Sequence, residues 1–93
     1  MVRLDVVLYV QRGCGPCHEA SAWLRARGVD FAERDVARSP AWLQELLALG
    51  SRVTPTLVIS GPGGRTIVKG FHPDDLVAAL AEHEDVPAAG THP

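Results

Sequence analysis

Apolar residues along this chain fall into short blocks, and the changes in their period mark the elements. Residues 4–10 (L-D-V-V-L-Y-V) are β-rich and almost continuously apolar, which predicts a strand covered on both faces. Gln11-Arg12-Gly13 then breaks the run into a loop. From Cys17 to Arg27 the residues are good helix formers, with Ala20, Trp23, Leu24 and the stem of Arg27 spaced three or four apart on one stripe. Gly28 supplies a left-handed stop. Val29 to Val36 shows partial alternation, which places a second strand at about 30–35. Ser39 and Pro40 suit the N-cap and first position of another helix, with Leu43, Leu46 and Leu47 as its inner face and Gly50 as its end. Residues 56–60 form a short apolar strand, Gly61-Pro62-Gly63-Gly64 is turn chemistry, and residues 65–69 complete a hairpin whose second strand is the sheet edge. After a loop at Gly70-Phe71-His72, Pro73 opens a last helix with Asp74 and Asp75 in its first turn and a stripe of Leu76, Val77 and Leu80.

The order βαβ, helix, ββ, helix predicts an α/β fold: a four-stranded mixed sheet with about three helices on its faces, its first two strands parallel through a right-handed crossover. Residues 1–84 make one domain, and residues 85–93, rich in Pro, Ala and Gly, are expected to be a flexible tail. The apolar share of 46% over 93 residues is enough for a modest core. Nine Lys plus Arg against eleven Asp plus Glu leave a net charge of −2, which favours neither nucleic acid nor an anionic membrane. A protein or small-molecule partner fits better, and the chain is expected to be a monomer. The only two cysteines lie three residues apart, a usage that suits a reducing compartment. The first apolar run is too short for a signal-peptide core or a membrane span, so a cytoplasmic location is expected.

Those cysteines form Cys14-Gly15-Pro16-Cys17, placed where the first strand hands over to the first helix. A Cys-x-x-Cys pair in that position reads as a dithiol site. With Cys17 in the first helical turn, Cys14 falls just before it and faces the positive end of the helix dipole, which favours thiolate, the attacking species. Cys14 is then the nucleophile and Cys17 the resolving thiol. A structural pair or a metal clip is the rival reading, although two thiolates fall short of the four ligands of a structural zinc site. Arg12 is either a support for the thiolate and for a substrate carboxylate or an exposed loop charge. Phe71 either faces a partner or packs internally, and His18 reads as a surface residue.

The element order, with Cys-x-x-Cys after the first strand and Thr54-Pro55 before the third, resembles the thioredoxin superfamily and, within it, the glutaredoxin branch. Val6-Val7-Leu8-Tyr9 resembles the first strand of glutaredoxins, and Asp35-Val36 with Arg38-Ser39-Pro40 resembles their approach to the second helix. Gly70-Phe71-His72-Pro73-Asp74 is similar to the Gly-Phe-Arg-Pro-Asp stretch of NrdH-redoxins, electron donors to ribonucleotide reductase that are recharged by thioredoxin reductase. The resemblance implies a thioredoxin-like fold, a cis bond at Pro55, and a Thr54 backbone free to pair with an extended substrate. It also implies a substrate-binding set of Arg12, Gly15, Pro16, Thr54, Pro55, Gly70 and Phe71. Gly15-Pro16 is the thioredoxin dipeptide, yet Gly13 and Leu8 stand where thioredoxins carry Trp and a buried acid. Gln11 replaces the Lys or Arg of glutathione users, and Phe71 replaces the second Gly of a Gly-Gly pair.

The implied activity is reduction of protein disulfides, with ribonucleotide reductase among the candidate substrates and thioredoxin reductase rather than glutathione as electron source. The implied redox group is the Cys14–Cys17 disulfide, with no further cofactor and no metal. A glutathione-dependent glutaredoxin and a metal or iron–sulfur carrier using the same cysteines are the alternatives.

Overall fold

A computed structural model describes residues 4–89, and side chains as far as residue 83. Its elements are β1 (Asp5–Val10), α1 (Gly15–Ala26), β2 (Ala32–Asp35), α2 (Pro40–Ala48), β3 (Thr56–Gly61), β4 (Gly64–Lys69) and α3 (Pro73–Ala89). The strands form one mixed sheet in the order β2-β1-β3-β4. β1 runs parallel to β2 (Leu8 opposite Glu33) and antiparallel to β3 (Leu8 opposite Leu57), and β3 is antiparallel to β4. This is the thioredoxin-like arrangement, with β4 at one edge as its polar ends predict and β2 at the other.

Alternation along β1 and β3 divides the interior in two. Val6, Leu8, Val10, Leu57, Ile59 and Val68 turn to one face, where Cys17, Ala20 and Leu24 of α1 meet Leu76, Ala79 and Leu80 of α3. On the other face Tyr9 and Val58 pack against Leu46 of α2. Leu24 and Ile59 have no exposed surface, and burying each side chain contributes about 1.5–3 kcal/mol. The near-continuous apolar run of β1 therefore reflects a strand covered on both sides.

Two helix faces differ from the pattern read in the sequence. On α2, Leu43 and Leu47 are 39% and 41% exposed, and only Leu46 is buried. The inward stripe is instead Trp42, Glu45, Leu46 and Leu49, rotated by one position. The cause is Glu45, which accepts the Tyr9 hydroxyl (2.9 Å) and pairs with Arg34 of β2. A polar residue on the inner face, satisfied by partners distant in sequence, disguises the apolar period. On α3, Val77 is 43% exposed. Leu76, Ala79, Leu80 and His83 face inward, with the His83 ring 3.1 Å from the Thr66 hydroxyl. The backbone of α3 also stays helical through residues 85–89, which composition assigned to the tail. Residues 85–89 read Asp-Val-Pro-Ala-Ala, and Pro87 disfavours a helix interior, so it is extension of a helix already nucleated and docked over its first turns, not local propensity, that carries the backbone on. The remainder of the expected tail, residues 90–93, lies outside the described residues.

Candidate active site

The site is built from the β1–α1 junction upward. Cys14 N–H donates to the Gln11 carbonyl (3.1 Å), closing a turn in which Gly13 has φ +80°. Only glycine takes that conformation without cost, so an aromatic residue directly before Cys14 would be strained here. The turn delivers Cys14 to the N-cap of α1, where its sulfur accepts the Cys17 N–H at 3.2 Å. Pro16 has no N–H to leave unpaired in this first turn. Cys14 and Cys17 are joined as a disulfide with their Cα atoms 5.2 Å apart.

The two sulfurs sit in different surroundings. Cys17 is 3% exposed and belongs to the main core, whereas Cys14 is half-buried beside the exposed Gly15 and Pro16. Across from it the Thr54–Pro55 peptide is cis. The Thr54 carbonyl oxygen lies 3.7 Å, and its hydroxyl 3.8 Å, from the Cys14 sulfur. Gly70 N–H donates to the Pro55 carbonyl (2.7 Å), tying the end of β4 to this loop. Among the described residues, Thr54's N–H and C=O carry no backbone hydrogen bond. Phe71 is half-buried and packs on the same core as Cys14.

Of the residues singled out in the sequence, Cys14, Thr54 and Pro55 are thus brought together, with Gly15 and Pro16 beside them and Gly70 and Phe71 joined through Pro55 and the core. Among the described residues Arg12 makes no hydrogen bond or ion pair to this group. It is exposed and lines a cleft of about 760 Å³ that reaches Cys17 and is also lined by His18, Arg38, Ser39 and Trp42. Glu33 and Asp35 line the same cleft, so its charge is mixed. His18 is exposed, as expected of a first-turn residue. Among the described residues no group of three or more His, Cys, Asp or Glu is placed to hold a metal ion, and no helix is long and apolar enough to cross a membrane.

Sequence reasoning missed Ser51, Thr56 and the trio of Tyr9, Arg34 and Glu45. Burial of the Tyr9 phenol, and then its bond to Glu45, holds its ionisation above the ordinary tyrosine value, while Arg34 acts in the opposite direction. Arg34 is also raised: burial works against its charge, and its bonds to Glu45 and Tyr9 outweigh that. An aromatic, an acid and a base spread over 36 residues leave no local signature. Ser51 and Thr56 were legible only as polar residues flanking the Thr-Pro pair.

The glutaredoxin family model matches residues 6–62. Among solved structures, the thioredoxin-like protein BC3987 is 32% identical over 80% of this chain and 97% of its own, with a TM-score of 0.71. NrdH-redoxin from Escherichia coli, described as glutaredoxin-like with a thioredoxin-like activity profile, is 30% identical over 80% and 92%, with a TM-score of 0.68. A thioredoxin from Malassezia sympodialis is 27% identical over 86% and 76%, with a TM-score of 0.70. None of the curated proteins matches the sequence.

Proposed function

This chain belongs to the glutaredoxin family of thiol–disulfide oxidoreductases, and we propose that it reduces protein disulfides through Cys14 and is recharged by thioredoxin reductase rather than by glutathione. One observation carries the first half. Cys14 is the accessible sulfur and holds the N–H at the start of α1, while Cys17 lies beneath it in the core. The Cys14 thiolate attacks one sulfur of the substrate disulfide, forming a mixed disulfide and releasing the other sulfur as a thiolate that takes up a proton. The Cys17 thiolate then attacks Cys14 Sγ and expels the second substrate thiolate, which is also protonated. The substrate gains two electrons and two protons, and the Cys14–Cys17 disulfide holds the oxidising equivalent until a reductase returns two electrons.

Extended substrate fits beside Cys14 because Thr54 offers backbone groups free for strand-like pairing. Phe71, half-buried against the core that Cys14 also packs on, supplies apolar surface for such a partner. Glutathione asks for something else: fixed positive charge and open backbone for its two carboxylates. Gln11 stands where that charge is usual, and Arg12 lines the mixed-charge cleft. The experiment is turnover of a model protein disulfide with NADPH and thioredoxin reductase, run beside glutathione with its reductase. Faster turnover with the protein reductase is expected; equal or faster turnover with glutathione overturns the reading of the electron source.

A further inference from the structure

The loop between α2 and β3 contains a closed ring of hydrogen bonds that neither the cysteines nor the apolar core requires. Ser51 and Thr56 are 1% and 0% exposed, so both hydroxyls need internal partners. Val53 N–H donates to Ser51 Oγ at 3.4 Å, Ser51 Oγ lies 2.8 Å from Thr56 Oγ1, and Thr56 Oγ1 donates to the Val53 carbonyl at 2.7 Å. The single hydroxyl proton of Thr56 is committed to Val53, so the proton between the two hydroxyls belongs to Ser51. The ring starts and ends on the backbone of Val53. That carbonyl shares a peptide plane with the Thr54 N–H, so the ring fixes the direction in which residue 54 leaves. The loop is anchored at its start as well, by Ser51 N–H on the Leu46 carbonyl (3.3 Å) and by Lys69 Nζ on the Gly50 carbonyl (2.8 Å).

What this anchored loop presents to Cys14 is one acceptor and one donor, the Thr54 carbonyl and hydroxyl at 3.7 and 3.8 Å. A Cys14 thiol can donate to the carbonyl. The thiolate can use only donors, of which the Cys17 N–H at 3.2 Å is the first and the Thr54 hydroxyl the second. We propose that Thr54 is a catalytic residue whose hydroxyl donates to Cys14 Sγ when that sulfur is charged, and that Ser51 and Thr56 are positioning residues that aim it. This rests on Cys14 being the nucleophile.

A charge-assisted bond to the thiolate favours that form over the thiol, but it also makes the sulfur less basic and so less nucleophilic. The exponent relating attack rate to basicity is about 0.4–0.5. A tenfold loss of thiolate fraction is therefore offset only about threefold by greater reactivity. Removing the hydroxyl should slow attack at low pH, where the fraction decides, and speed it at high pH, where the sulfur is fully ionised. A merely structural role would not make the two pH profiles cross.

The test is the rate of iodoacetamide alkylation of the reduced full chain against pH, with the alkylated cysteine located by mass spectrometry. Thr54→Val keeps the shape of the side chain and removes the hydroxyl. Its rate should fall about threefold below the midpoint, the midpoint should rise by about one pH unit, and the plateau should lie about threefold above that of the unaltered chain. Thr54→Ser should retain the original profile. Thr56→Val should shift the profile in the same direction, Thr56→Ser should restore it, and Thr54→Val with Thr56→Val should shift it no further than Thr54→Val alone. A Thr54→Val profile superimposed on the original overturns the catalytic role, and additive shifts in the double variant overturn the positioning role. If Thr56→Val does not fold, Thr54→Val against Thr54→Ser decides the matter, since residue 54 lies outside the buried ring. Alkylation first at Cys17 overturns the nucleophile assignment together with this proposal, whereas alkylation at Cys14 with an unchanged Thr54→Val profile overturns this proposal alone.

Discussion

Cys14 and Cys17 carry the same thiol chemistry but sit in different surroundings. Cys17 is 3% exposed under α1, and Cys14 is half-buried at its N-cap. Cys14→Ser should therefore abolish disulfide reduction, while Cys17→Ser should still attack and remain trapped as a mixed disulfide visible on a non-reducing gel. An adduct on the Cys14 variant and none on the Cys17 variant would reverse the two roles. Tyr9 makes a second prediction at this scale. Its folded ionisation lies above the ordinary value, chiefly through burial and then through Glu45. The stability it contributes is thus fully present below about pH 10, where unfolded tyrosine begins to ionise, and is lost as pH rises through the folded value. Tyr9→Phe should cost about 0.5–1.5 kcal/mol at pH 8 from the lost hydrogen bond. Urea unfolding of the two proteins from pH 8 to 11 should show that difference narrowing above pH 10, and a constant or widening gap would rule the linkage out.

Helix α2 turns one leucine inward and two outward. Leu46 is 2% exposed on the face shared with Tyr9 and Val58, while Leu43 and Leu47 are about two-fifths exposed. Leu46→Ala should destabilise by about 2–5 kcal/mol through lost burial and the cavity it leaves. Leu43→Ala should stay within about 0.5 kcal/mol. Comparable losses in thermal unfolding would restore the stripe read from the sequence. The same helix starts at Ser39, whose hydroxyl accepts the Trp42 N–H at 3.3 Å. Ser39→Ala should cost about 1 kcal/mol, a lowering of the midpoint by roughly 4–8 °C.

At the scale of the whole molecule, the N-terminus of α1 and the loop before β3 converge on the Cys14 sulfur, and Gly70 after β4 is tied to that loop through the Pro55 carbonyl. Such a surface suits a partner that brings an extended, cysteine-bearing segment and grips more than the disulfide itself. Turnover with thioredoxin reductase should exceed that with glutathione by at least about tenfold, a preference of roughly 1.4 kcal/mol or more. Phe71→Gly should weaken the first activity more than it helps the second, as the two kcat/KM values would report. Comparable rates in the unaltered chain would place it among glutathione-dependent glutaredoxins despite Gln11.

Local chemistry determined much of this protein in advance. The Cys-x-x-Cys spacing, the Ser39-Pro40 helix start, Gly28 as a stop and the Gly-rich hairpin turn each act over a few residues, so the sequence carries them whole. β1, buried on both faces, announced itself because every position is apolar except Asp5 at its start. The fold decided what depends on pairs distant in the chain. Glu45 could face inward only because β1 and β2 bring Tyr9 and Arg34 to meet it, and that shifted the buried stripe of α2 by one residue. His83 could be buried because β4 places the Thr66 hydroxyl opposite its ring. Ser51 and Thr56 read as ordinary polar residues until the turn around Val53 closed their hydroxyls into a ring. A polar side chain shows its role in the sequence only when its partner is close by in the chain; for these residues the partner came with the tertiary structure.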